Sequence, residues 1–130
     1  MSRENVEVVE RVVAAVNGRD LKGYLAHCTD DVQLRTPAFG GVYDGAVGIT
    51  RFFADLEDAA ADFHVTIEHL EPVGADRVVA FMHLAVSGRT TGIETPMDSA
   101  NVYEFVEGKI ARTRVFLDRA EALKAVGLEE

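Results

Sequence analysis

The chain has 130 residues, 48% hydrophobic and 27% charged, which suits one domain with its own core and is too apolar for disorder. Thirteen Lys and Arg against 22 Asp and Glu give a formal net charge of −9, which argues against a nucleic-acid or anionic-membrane partner, because both recruit basic surfaces. A single cysteine, Cys28, excludes an internal disulfide framework and any multi-cysteine zinc site.

The polar start MSRENVEVVE does not read as a secretion signal, and no apolar run reaches the roughly 18 residues of a bilayer span. The expectation is one domain over 1–130 in the cytoplasm. Val6, Val9, Val13 and Val16 recur at helical spacing, with Ser2 as a candidate N-cap and Asn17-Gly18 as the stop. Asp20 reads as the cap of a short second helix through Leu21, Tyr24 and Leu25. VQLRTP (32–37) reads as a short extended piece ended by Pro37, and the glycine-rich AFGGVYDG (38–45) as a loop forming a lip over any pocket. Ile49, Phe52, Phe53, Leu56 and Ala60 make the apolar stripe of a third helix. From Asp62 the period falls to two, so Phe63, Val65 and Ile67 alternate with His64, Thr66 and Glu68 on a strand. Further strands follow over 77–87, 97–106 and 109–117, the last two joined by a hairpin at Glu107-Gly108. A helix from Asp118 to Val126 closes the chain. Helices first, antiparallel strands next and a final helix predict an α+β fold with helices on one face of a curved sheet.

Two strands carry the functional argument. In 77–87 both faces are apolar: Val78, Ala80, Met82, Leu84 and Val86 on one, Val79, Phe81, His83 and Ala85 on the other. An antiparallel sheet with one wet face alternates more cleanly, so the second face needs a cover. A second copy is the simplest one, which predicts a homodimer through the outer sheet face, with His83 in the interface. In 97–106, Ser99, Asn101, Tyr103 and Phe105 share a face. Turned under the helices, the first three place polar groups in an apolar enclosure, as a core hydrogen-bond network or as the wall of a ligand pocket.

The ordered segments VERVVAAVNGRD, DDVQLRTP, YDGAVGITRFFADL and VYEFVEGKIARTRVFLDRAEAL resemble the NTF2-like superfamily and, within it, the SnoaL-like group. The resemblance implies a cystatin-like cone, a strongly curved antiparallel sheet wrapped around N-terminal helices with a hydrophobic pocket between, and often a dimer. The fold hosts ketosteroid isomerases, polyketide cyclases, epoxide hydrolases and non-catalytic binders, so function must be argued from the site. The ketosteroid isomerases resemble the chain without gaps from Asp20 to Phe53, yet their helix tyrosine falls on Val12, their base before the proline on Thr36 and their acidic donor on Asn101. Threonine cannot abstract a carbon-bound proton at neutral pH, so that activity is not implied. The epoxide hydrolases resemble an Arg-x-Asp arrangement, where this chain reads Ser99-Ala100-Asn101. The SnoaL-type cyclases resemble it at Asp118, which is either an acid/base group or the cap of a D-x-x-E helix start.

Tyr24, Phe39, Phe52, Phe53, Met82 and Tyr103 either fill the core or line the pocket. Cys28 reads as a small buried apolar residue. His64 and His69 are read on opposite faces of one strand, unable to share a metal. The resulting expectation is a pocket for a small, mostly apolar organic molecule. Tyr24, Thr36, Phe39, Phe52, Phe53, Met82, Ser99, Thr113 and Val115 would surround it, and Asp118, Asn101 and Tyr103 would serve any isomerase, cyclase or lyase chemistry. No metal and no cofactor are expected. The alternative is a non-catalytic dimerisation or partner-binding module with a filled cone, and a hollow of roughly 300 Å³ or more separates the two readings.

Overall fold

The computed structural model describes residues 2–37, 41–88 and 94–127. The valine stripe folds as α1 (Ser2–Asn17), which buries Val8, Val9, Val12 and Val13. The left-handed residue after it is Arg19, at φ 56°, rather than Asn17 or Gly18. Asn17 has another task. Its amide donates to the Val65 carbonyl at 2.9 Å and accepts from the Val65 N–H at 2.7 Å, pinning the helix to a strand. Asp20 caps α2 (Leu21–Leu25), its carboxylate accepting from the Gly23 N–H at 2.9 Å.

The strands are β1 (Cys28–Arg35), β2 (Val42–Asp44), β3 (Ala60–Val73), β4 (Arg77–Gly88), β5 (Glu94–Val106) and β6 (Lys109–Phe116). Helix α3 (Gly45–Ala59) follows β2, and α4 (Arg119–Ala125) follows β6. One six-stranded sheet runs β2-β1-β6-β5-β4-β3, with every pairing antiparallel except β1 with β6. The fold is the expected α+β cone, helices α1, α2 and α3 lying in the hollow of the sheet.

The 38–45 segment is not wholly a loop. Residues 38–40, including Phe39, lie outside the described residues, but β2 occupies its second half because the Tyr43 ring is completely buried between exposed neighbours. Glycine at 48 permits this seat, since a Cβ there would stand 2.7 Å from the Tyr43 carbonyl carbon. The hairpin at Glu107-Gly108 forms as read, with φ of 51° and 80° at its two residues.

Register shifts bend the sheet and change which residues face inward. In β3 a shift between Ile67 and His69 leaves Phe63, Val65 and Ile67 facing the core and then transfers that side to Leu70. As a result His64, opposite Ala85, and His69, opposite Phe81, both lie on the outer face, correcting the reading that they point oppositely. Their five-residue spacing, about 16 Å along a strand, still separates them. A second shift lets both Ile110 and Thr113 of β6 face inward, opposite Phe105 and Tyr103.

The apolar outer side of β4 receives part of its cover from the same chain. Ala122 and Val126, in and just past α4, pack on Val79, Phe81, Ala100 and Val102. Arg119 lies 4.4 Å from the Phe81 ring centre, and His69 stacks on that ring at 6.0 Å.

Candidate functional site

The mouth of the cone opens into a cavity of about 430 Å³. It is lined almost entirely by apolar side chains. Helix α1 contributes Val12, Val13 and Val16 because these are its inward stripe, and α3 contributes Phe52 and Leu56. The inner face of β4 adds Met82, Leu84 and Val86, one face by strand alternation. Among the described residues lining the cavity there is no Asp, Glu, His, Cys, Lys or Arg.

The polar exceptions form a strip down one wall. Ser99, Asn101 and Tyr103 alternate along β5, all are buried, and all reach the cavity. Ser99 Oγ donates to Asn101 Oδ1 at 3.3 Å, and Asn101 Nδ2 donates to the Tyr103 hydroxyl at 3.3 Å. The register sets Thr113 of β6 opposite Tyr103, and Tyr24 of α2 also lines the cavity. The strip is thus a hydrogen-bonded network that also forms part of the cavity wall.

Burial controls the acidity of these groups. Tyr103 is pushed up from 10.0 to about 12 by loss of water first, which its hydrogen bond with Asn101 only partly offsets, with Cys28 nearby adding a smaller push upward. Tyr24 is raised well above its ordinary value, first by desolvation and then by Tyr103 and Cys28 nearby. The Thr113 hydroxyl acts in the opposite direction on Tyr24, although Thr113 Oγ1 closes no well-formed hydrogen bond. Both phenols are thus neutral donors at physiological pH. Cys28 is buried, donates to the Tyr24 carbonyl at 3.4 Å and is pushed up to about 12 by desolvation, so it is a poor nucleophile.

Of the candidate residues, Tyr24, Thr36, Phe52, Met82 and Val115 line the cavity together with Ser99, Asn101, Tyr103 and Thr113. Val12, Thr36 and Asn101, the positions matched to the isomerase tyrosine, base and donor, meet at this one cavity. Phe53 does not line it. It is buried in the core, edge-on to Tyr24 at 5.5 Å and to Phe52 at 6.0 Å. Asp118 does not line it either. It is exposed and caps α4, accepting from the Ala120 N–H at 2.8 Å. Sequence reasoning missed Tyr43, whose hydroxyl donates to Asp55 at 2.7 Å and whose ring meets Phe52 edge-on at 5.3 Å. No periodicity marks a buried residue in a three-residue strand. It also missed Leu117 at the end of β6 as a lining residue. Among the described residues no group of three or more His, Cys, Asp or Glu is arranged to hold a metal ion.

Residues 9–113 match the model of the SnoaL-like domain, and the chain belongs to that family. Solved structures with the same fold include TerC co-crystallised with polyporic acid, 24% identical, with TM-score 0.80 over 95% of this chain and 97% of the other. RV0760c from Mycobacterium tuberculosis, in complex with estradiol-17beta-hemisuccinate, is 19% identical, with TM-score 0.76 over 89% and 95%. An uncharacterised cystatin-fold protein from Novosphingobium aromaticivorans is 27% identical, with TM-score 0.74 over 89% and 98%. Comparison with the curated proteins finds no match.

Proposed function

We propose that this chain binds a small, uncharged, mostly apolar organic molecule in the cone. The carrying observation is the cavity itself: about 430 Å³ with an apolar wall interrupted by neutral hydrogen-bonding groups, the β5 strip with Thr113, Tyr24 and Thr36. That size passes the roughly 300 Å³ that separates a pocket from a cone filled by its own side chains. An uncharged lining favours an uncharged ligand, since a buried charge without a partner is costly. The organic ligands named for TerC and RV0760c support a small organic occupant of this fold's cavity, and the uncharged state is argued from the lining alone.

Binding is the stronger proposal than turnover. Among the described lining residues none titrates near neutral pH in a way that would make it a general base, and Asp118 is engaged at the helix start. Among the described lining residues, an isomerase, cyclase or lyase step would have only neutral polar groups such as Asn101, Tyr103 and Tyr24 to polarise its substrate. The Asn101→Leu, Tyr103→Phe double variant tests the site: it is expected to weaken ligand-induced thermal shifts, and unchanged shifts with every binding compound would defeat the assignment. A homodimer remains part of the proposal only over the outer face away from α4, around His83 and Ala85. Light scattering reads it as twice the chain mass of 14.2 kDa.

A further inference from the structure

We infer that the outer face of the sheet over β1, β6 and β5 is a docking surface for an extended acidic segment of a partner protein, held by Arg112 and Arg114 with Arg35 and Arg77 beside them. None of these arginines lines the cavity, so the surface is separate from the small-molecule site and does not rest on it.

Strand register brings the four together. On the outer side, Arg112 of β6 stands between Gln33 of β1 and Glu104 of β5, and Glu104 stands in turn opposite Arg77 of β4. One step along, Arg114 stands between Arg35 of β1 and Val102 of β5. Four guanidiniums thus share one stretch of sheet in a chain whose formal net charge is −9. The carboxylates among them do not balance them. Glu104 Oε2 takes Arg114 Nη2 at 3.1 Å and Arg112 Nε at 3.9 Å, and Asp44 takes Arg35 Nη1 at 2.9 Å. Neither carboxylate pairs with Arg77, and Arg114 Nε is inaccessible with no hydrogen-bond partner among the described residues. The side chains of Arg112 and Arg35 keep 44% and 34% of their surface exposed, so their remaining N–H groups are open to a partner. Exposed valines flank the cluster: Val42 opposite Arg35, and Val106 two residues beyond Glu104. Arginine beside exposed aliphatic surface is the chemistry of protein interfaces. Charge complementarity makes the occupant anionic. Spacing makes it an extended chain. Arg112 and Arg114 are alternate residues of one strand, about 6.6 Å apart, which is the spacing of alternate side chains in another extended segment and not of the oxygens of one small ion.

The probe is the peptide acetyl-Gly-Glu-Ser-Glu-Ser-Glu-Gly-amide, with a twin carrying Gln at each Glu. Nitrogen-15 spectra of the arginine Nε–H groups of the full chain, recorded at low salt while peptide is added, should show the Arg112 and Arg114 signals moving and saturating while those of Arg11 and Arg51 stay in place. The glutamine twin is expected to bind about tenfold more weakly, the factor of one charge-assisted hydrogen bond. Arg112→Gln should weaken the glutamate peptide by a similar factor, and Arg35→Gln on the neighbouring strand supplies a second variant if the first does not fold. Absence of binding, equal binding of the two peptides, shifts spread evenly over all arginines, or full affinity in the arginine variants overturns the proposal. Inorganic phosphate that moves the same signals and displaces the peptide at equal or lower concentration would make this a small-ion site and overturn the segment. If the peptide does not bind and the four signals change on dilution of the chain instead, the face belongs to a second copy and the proposal falls.

Discussion

At the scale of single residues, the polar side chains inside this molecule divide into those that hold the fold and those that face the hollow. Asn17 belongs to the first kind. It occupies both backbone groups of Val65 on β3, a strand at the sheet edge whose outer hydrogen-bonding side has no neighbouring strand among the described residues. Asn17→Ala is expected to cost about 2 kcal/mol, because both groups are left without a partner in a half-buried place. Urea unfolding measures it, and a loss below a few tenths would show that water replaces the amide freely. Tyr24 and Tyr103 belong to the second kind, and their acidity yields a pH prediction. Their folded values lie above the unfolded one, so the neutral form is favoured by folding. Their contribution is fully present below the unfolded value of 10.0 and is lost as pH rises through the folded values, about 12 for Tyr103 and well above 10.0 for Tyr24. Stability should therefore fall above pH 10, and the 295 nm phenolate absorbance of these two residues should appear only with unfolding. Two ionisations near pH 10 in the folded chain would contradict the burial assigned to them.

At the scale of elements, periodicity was a good guide where an element has one dry face and a poor one where the sheet bends. The α1 valines, the D-x-x-E start of α4 and the Glu107-Gly108 hairpin were all readable, because each is fixed by local geometry. The alternation in 97–106 placed Ser99, Asn101 and Tyr103 on one inward face, which is most of the polar site. The register shift at Ile67–His69 was not readable, since a bulge is set by curvature of the whole sheet and not by the residues beside it, and it moved His69 to the face of His64. Phe53 and Phe52 are adjacent aromatics on one helix stripe, and the stripe alone does not show that Phe53 packs on Tyr24 in the core while Phe52 packs on Tyr43 and reaches the cavity. Asp118 illustrates the opposite case, since the capping pattern was legible and its carboxylate accepts from the Ala120 N–H as that pattern requires. The seat of β2 on α3 was hidden by its glycines. Gly48→Ala would set a methyl carbon 2.7 Å from Tyr43 backbone, which neither element can absorb by a rotamer change. A loss of about 1–3 kcal/mol is expected in thermal unfolding, with Tyr43 partly exposed. An unchanged melting temperature would mean that α3 slides without penalty.

At the scale of the whole molecule, the same sheet serves two cores. Its concave side holds the helices and the cavity, and its convex side is closed at one end by α4. This explains why β4 is apolar on both faces without calling on a partner for Val79 and Phe81. No helix among the described residues is long and apolar enough to cross a membrane. The family and the fold leave the reaction open; the titratable groups of the described lining are two buried tyrosines, and this uncharged wall is what supports the proposed recognition of a neutral molecule. The most direct test uses methionine methyl groups as reporters, because Met82 and Met97 both line the cavity, on β4 and β5. Carbon-13 methyl spectra recorded while 9-fluorenone is added should show these two signals moving together and saturating at one molecule per chain. If they stay in place, or drift without saturating while the compound associates elsewhere, the hollow is not the binding site.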